Sequence, residues 1–389
     1  MRLLLPILLT LLTVSSPADA QAIRAGEWLR LDFRARVQGD VRASQPPSAE
    51  NADNEDGRLD IARRRVGIEG RAARVFDYQV EYELGARQWR DVYLDYRQFK
   101  ALQLRAGIFK LPFGLDENTS ATSLDFIYRS RISSRLAPGR DRGVSAHGKL
   151  LRDRLNYEAG MFRHDGDNAR PSHSARVFGG RTGAARVTVR PFRGAKTAAS
   201  GLHLGAAVAF SNVPLGFSAV RARTVFGASF FDSDVWIKGR RARTGLEARW
   251  SSRRVSVQSE YIRLTDERRG QSVEDGDLSP LLAHGWYASV TYAVNAKRSR
   301  YGAIELASRF ETLSFGSTTT VGDPSSSVRA DRVLGNTDRV MTYGASWQLN
   351  RWVKVQANLI REQMEEPSMG PLPERPAFWS RALRVQFAI

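Results

Sequence analysis

The sequence predicts an all-β fold, a 16-stranded antiparallel barrel that crosses a membrane with strands. Three observations lead there. Arginines recur at alternate positions of short segments that are otherwise largely apolar, and a period of two is a strand with its charges on one face. The chain opens with a segment of export type. Beyond that segment, nothing approaches the roughly 18 uninterrupted apolar residues that a membrane helix needs. A chain that crosses lipid without helices does so as a closed barrel, because only closure satisfies every backbone group there.

The export segment has a basic start at Arg2, an apolar stretch from Leu3 to Val14 and a small-residue ending, Ala18-Asp19-Ala20. It predicts a signal peptide over residues 1–20, with the barrel over 21–389. Lys plus Arg number 59 against 41 Asp plus Glu, and only seven of the 59 are Lys. The net charge of +18 is unchanged by removing the leader, which carries one charge of each sign. A pI near 10.7 would also suit a nucleic-acid binder, but such a protein concentrates its charge on a patch and stays inside the cell. No nucleic-acid partner is therefore expected. With no cysteine, neither disulfides nor thiolate metal sites are available. A mean hydropathy of −0.38 is compatible with a barrel whose lumen and loops are polar.

Strands follow in order. Leu29, Leu31, Phe33, Ala35 and Val37 alternate with Arg30, Asp32, Arg34 and Arg36. In 60–71, Ala62, Arg64, Val66 and Ile68 oppose Arg63, Arg65, Gly67, Glu69 and Arg71. Arg64 thus violates the two-face division, which places it near a rim where a long side chain reaches headgroups. Segments 78–84, 91–97 and 102–109 repeat the pattern, as do 143–149, 154–163, 183–192, 200–210, 237–250 and 253–264. It continues through 284–294, 301–311, 336–349, 352–363 and 378–389, giving 16 strands. The stretch 222–232 is also strand-like, which leaves counts of 17 or 18 open, while its position between 210 and 237 suits a structured part of a long loop. Long connections occupy 39–59, 110–142, 164–182, 265–283 and 312–335, whereas Asn350-Arg351 makes a tight junction. That asymmetry, with aromatic residues such as Trp250, Trp286, Trp347 and Trp379 near strand ends, favours an outer-membrane barrel over a soluble sandwich.

The most individual segment is Gly107-Ile-Phe-Lys-Leu-Pro-Phe-Gly114. Arg63-Arg64-Arg65 with Gly67 and Asp91 with Tyr93 precede it, and Pro138-Gly139-Arg140 follows. In this order and spacing the pieces resemble the phosphate-selective porins of the O and P type. The resemblance implies a homotrimer of barrels in the outer membrane of a Gram-negative bacterium, embedded in its lipid, that passes phosphate or related anions without a cofactor. It further implies that residues 110–142 fold inward as a constriction loop, with Pro112 and Gly114 redirecting the chain.

The substrate-binding residues expected on this reading are Arg63, Arg64, Arg65, Asp91, Arg105, Lys110, Arg129 and Arg140. Arginine and lysine attract phosphate and replace part of its hydration shell, and the planar guanidinium fork holds two oxygens at once. Asp91 and Asp95 would brace the cations, so that several moderate sites allow exit. Period two pairs Arg63 with Arg65, while the resemblance also admits Arg64 with Arg65. Arginine in place of a lysine-rich ladder leaves general anion or polyphosphate passage open. His147, His164, His173, His203 and His284 join no metal-binding or nucleophilic motif, so an enzyme is the weaker reading.

Overall fold

The computed structural model describes residues 22–26, 28–44, 59–168, 180–218, 220, 222–231, 235–271, 276–295, 302–317, 333, 335–369 and 375–389. The expected signal peptide lies outside the described residues. The first half of the chain gives β1 (Ala22–Ala25), β2 (Leu29–Ser44), β3 (Leu59–Ala72), β4 (Phe76–Glu83), β5 (Gln88–Tyr96), β6 (Gln103–Lys110), β7 (Arg140–Leu150), β8 (Leu155–Phe162), β9 (Thr182–Val189) and β10 (His203–Phe217). The second half gives β11 (Ala222–Arg223), β12 (Ser229–Phe231), β13 (Trp236–Ser251), β14 (Val255–Arg268), β15 (Leu278–Ala293), β16 (Ala303–Ser317), β17 (Asn336–Gln348), β18 (Val353–Met364) and β19 (Ala377–Ala388). Two short helices, α1 (Leu115–Asn118) and α2 (Arg131–Arg135), lie between β6 and β7.

Each strand from β2 to β10 and from β13 to β19 pairs antiparallel with its neighbours, β10 pairs with β13, and β19 returns to β2. The result is a closed barrel of 16 strands. Closure removes the two open edges that would otherwise expose unpaired N–H and C=O groups to lipid. The seam is also joined by side chains. Arg384 Nε and Nη2 each donate to Asp40 at 2.7 Å, and Gln38 donates to Gln386 at 2.5 Å. Short β1 folds back on the start of β2, pairing Ala22 with Asp32. Strands β11 and β12 form a separate two-stranded sheet, so the strand-like stretch 222–232 adds nothing to the barrel count.

Barrel strands run further than hydrophobic alternation suggests. β2 continues to Ser44 and β14 to Arg268, trimming the expected loops 39–59 and 265–283, and the expected 110–142 loop narrows to 111–139. The ladder is made by backbone groups, so pairing such as Asp40 with Arg384 persists where the side chains have become polar. Tight turns at 73–75, 151–154, 252–254 and 349–352 close one end, while the connection 111–139 and the strand ends at Ser44, Phe162 and Ser317 lie at the other.

The two faces differ as period two requires. Val66, Leu94, Leu104, Val144 and Leu246 are exposed on the outer face, whereas Arg65, Asp95, Gln103, Ser145 and Glu247 are buried on the inner one. Part of the inner face is apolar. Ile262, Leu264, Ala283 and Leu313 form one buried cluster with Phe113, Ile132 and Leu136 of the β6–β7 connection.

Candidate functional site: an arginine-lined cavity

Most side chains that hold the β6–β7 connection come from one wall, β13 to β19, and Asn168 adds bonds to the carbonyls of Ser133 and Ala137. Glu260 accepts from the backbone N–H of Leu115 and Asp116 at 3.0 and 3.2 Å, at the start of α1. Gly114 makes that approach possible. Its φ is +79°, and a Cβ there would lie 2.5 Å from Glu260 Oε1. Glu311 accepts from the N–H of Arg131 at 2.5 Å and Asn358 from that of Ile127 at 2.8 Å. In the reverse sense Lys354 donates to the Leu124 carbonyl, Arg384 to Ile127 and Arg243 to Leu136, each at 2.7 Å. Each buried backbone group thereby finds a partner that no strand ladder supplies.

On the opposite side of the connection, toward β2–β7, lies a cavity of about 590 Å³. Eleven arginines and Lys110 line it, against the four carboxylates of Glu81, Asp91, Glu117 and Asp167. Of the eight residues expected from sequence, the structure brings seven together here: Arg63, Arg65, Asp91, Arg105, Lys110, Arg129 and Arg140. Arg64 is elsewhere. Its side chain is exposed on the outer face of β3, beside Val66, and the inward pair of that strand is Arg63 with Arg65.

The seven are not equivalent. Arg140 forks onto Asp91 with two bonds of 3.0 Å, and Arg65 donates to Glu83 at 2.6 Å and Glu81 at 3.0 Å. Arg105 donates to Asp95 at 3.0 Å, sits 3.5 Å from Glu158 and stacks over Tyr93. Lys110 donates to the carbonyls of Glu117 and Thr119, and Arg129 to those of Asp116 and Thr119. Both therefore brace the connection from within. Asp167 accepts from Arg90 and from the Arg140 N–H at 2.6 Å each, beside Gly139, whose φ of +82° turns the chain into β7.

Arg63 is different. Among the described residues it makes no ion pair, its Nη1 is buried without a hydrogen-bond partner, and it feels the charges of Arg36, Arg65, Arg129 and Arg384. Buried donors without partners recur around the same cavity at Arg36 Nε, Arg90 Nε, Arg131 Nε and Nη2, and Arg135 Nε. Burial, with the like charges of Arg131 and Arg223, lowers the Arg135 pKa to about 9, which still leaves the group charged at neutral pH. Unpaired donors on buried cations are costly unless an acceptor meets them.

Sequence reasoning missed Arg34, Arg36, Arg90, Arg131, Arg135 and Arg384. The alternation that marked Arg63 and Arg65 also marks Arg34 and Arg36, and Arg384 alternates in the last strand. What the linear pattern lacks is that β19 closes beside β2 and that α2 lines a cavity with both. Arg131 and Arg135, four apart, are a one-face pair only once α2 exists.

A closed 16-stranded barrel with apolar outside and charged inside defines the class of outer-membrane β-barrel channels. A sequence model of the phosphate-selective porin O and P family matches residues 31–388. The chain belongs to that family. It is an outer-membrane porin of a Gram-negative bacterium, a channel and not a catalyst. Among solved structures, OmpT of Vibrio cholerae is similar at a TM-score of 0.61 with 12% identity, over 95% of this chain and 100% of that one. An anion-selective porin from Comamonas acidovorans gives 0.60 and 11%, over 93% and 100%. The outer-membrane channel DcaP of Acinetobacter baumannii gives 0.59 and 10%, over 95% and 100%. At such identities the likeness concerns the fold. No curated protein sequence matches.

Proposed function

We propose that this porin conducts small inorganic anions, with phosphate the favoured cargo, through a constriction made by residues 111–139 folded into the lumen against β13–β19. The observation that carries the reading is the cavity between that segment and β2–β7, where twelve cationic side chains face four carboxylates. Such an excess raises the local anion concentration. Among the described residues Arg36, Arg63 and Arg135 make no ion pair and present buried donors, so they are the groups a phosphate would engage first. Arg65, Arg105 and Arg140, each held by acids, supply weaker sites along the path and keep any one stop from becoming a trap. Lys110 and Arg129 contribute charge while positioning the constriction. The family resemblance supports a homotrimer as the assembly, and mass measurement in mild detergent tests it, three chains being expected.

Channels reconstituted in planar bilayers under a chloride gradient should give an anion-selective reversal potential, and added phosphate should block the chloride current. A cation-selective potential overturns the proposal. Anion selectivity without phosphate block leaves a general anion pore, the reading that the scarcity of lysine supports.

A further inference from the structure

The outer face carries charge that the channel does not use. Arg339, Arg361 and Arg381 stand on the adjacent strands β17, β18 and β19 with exposed side chains. Their faces are the outer one. Arg339 alternates with exposed Tyr343 on its strand, Arg361 with Leu359, and Arg381 with Trp379 and Leu383. Register makes them a row. Arg361 lies across from Met341 and Trp379, whereas Arg339 lies across from Gln363 and Arg381 from Leu359. Each arginine is thus the diagonal neighbour of the next, a spacing of about 7–8 Å between backbones.

All three sit near the ends of their strands on the side that carries the longest connections, which is the extracellular side in barrels of this kind. Among the described residues, Arg361 and Arg381 have no hydrogen bond or ion pair, and Arg339 has only Glu365 at 3.9 Å. A solitary arginine at a membrane interface needs no partner, since it snorkels. Three in a row repel one another and raise a local field that a multivalent anion would neutralise. The outer face carries other exposed arginines, among them Arg142, Arg163, Arg181 and Arg263.

We propose that Arg339, Arg361 and Arg381 form a binding row, on the lipid-facing surface of the barrel, for the phosphate groups of a phosphorylated glycolipid in the outer leaflet. Planar forks match phosphate oxygens in pairs, and the flanking Leu359, Trp379 and Leu383 offer apolar surface to the acyl chains below. The row is separate from the pore, because none of the three lines the arginine cavity.

The test is native mass spectrometry of the detergent-solubilised porin titrated with a bisphosphorylated lipid A and with the same glycolipid dephosphorylated. The intact protein should bind the former preferentially. Arg339→Gln, Arg361→Gln and Arg381→Gln together should weaken that binding about a hundredfold, and Arg361→Gln alone about fivefold. The corresponding triple lysine variant should recover much of the loss. Phosphate block of the chloride current should stay as in the parent. Equal binding of both glycolipids, unchanged affinity in the single and triple glutamine variants, or an altered block overturns the proposal.

Discussion

The two walls of this barrel treat charge in opposite ways. On β13–β19, inner-face Glu260, Glu311 and Asn358 grip backbone N–H groups of residues 111–139, and Lys354, Arg384 and Arg243 grip its carbonyls. On β2–β7 the inner face has no such hold on that segment's backbone except through Lys110, and its arginines border the cavity instead. Polar side chains of one wall are consumed by docking, and those of the other stay turned toward open volume. The sign of a residue therefore does not reveal its task. Its distance from the docked segment does.

The sharpest way to break the contrast is to loosen the docking wall. Glu260→Ala orphans the N–H groups of Leu115 and Asp116, each at a cost of about 1–3 kcal/mol. Single-channel conductance should rise severalfold, with anion preference reduced. Conductance equal to the parent's would show that the segment holds its place without that carboxylate.

The cavity wall should respond next. Arg36→Gln, Arg63→Gln and Arg135→Gln together remove cations that make no ion pair among the described residues, and the phosphate concentration giving half block should rise by about tenfold or more. Lys110→Met, whose ammonium is spent on carbonyls, should shift it less and should lower the thermal unfolding temperature. Equal shifts from both changes would erase the proposed division between binding and bracing cations.

Asp91→Asn tests the brace itself. Freed from its fork, Arg140 should hold phosphate longer, seen as lengthened blocked events in single-channel records. Shortened events would mean that Asp91 positions Arg140 for the anion. The smallest effect belongs to Arg64→Gln, since that side chain lies on the outer face. Ion selectivity and phosphate block should be as in the parent, and any change in block would place Arg64 on the ion path.

Much of this was legible in the chain. Alternation at Leu29–Val37 and again at Leu383–Ile389 fixed the strand faces, because a period of two leaves each side chain only two directions. The same rule favoured Arg63 with Arg65 over Arg64 with Arg65, and the structure orients them so. Strand ends were less legible, since beyond Gln38 the hydrophobic signal thins to Val41 and Ala43. Asp91 and Asp95 were legible as braces for the cations, whereas the bracing of residues 111–139 was not: nothing near Lys110 in sequence foretells that its ammonium meets the carbonyls of Glu117 and Thr119.

By itself, then, the sequence determined the barrel, its two faces and the positive sign of the lumen, all properties that arise from local period and composition, whereas the separate β11–β12 sheet fixed the count at 16. Only the tertiary structure decided which cations are neutralised. Arg384 meets Asp40 across 344 positions, and Glu260 meets Leu115 across 145. Those separations close only when β19 pairs with β2 and when residues 111–139 reach β14. Ion pairing acts over a few ångströms of space, and no regularity along the chain encodes which distant groups will share them.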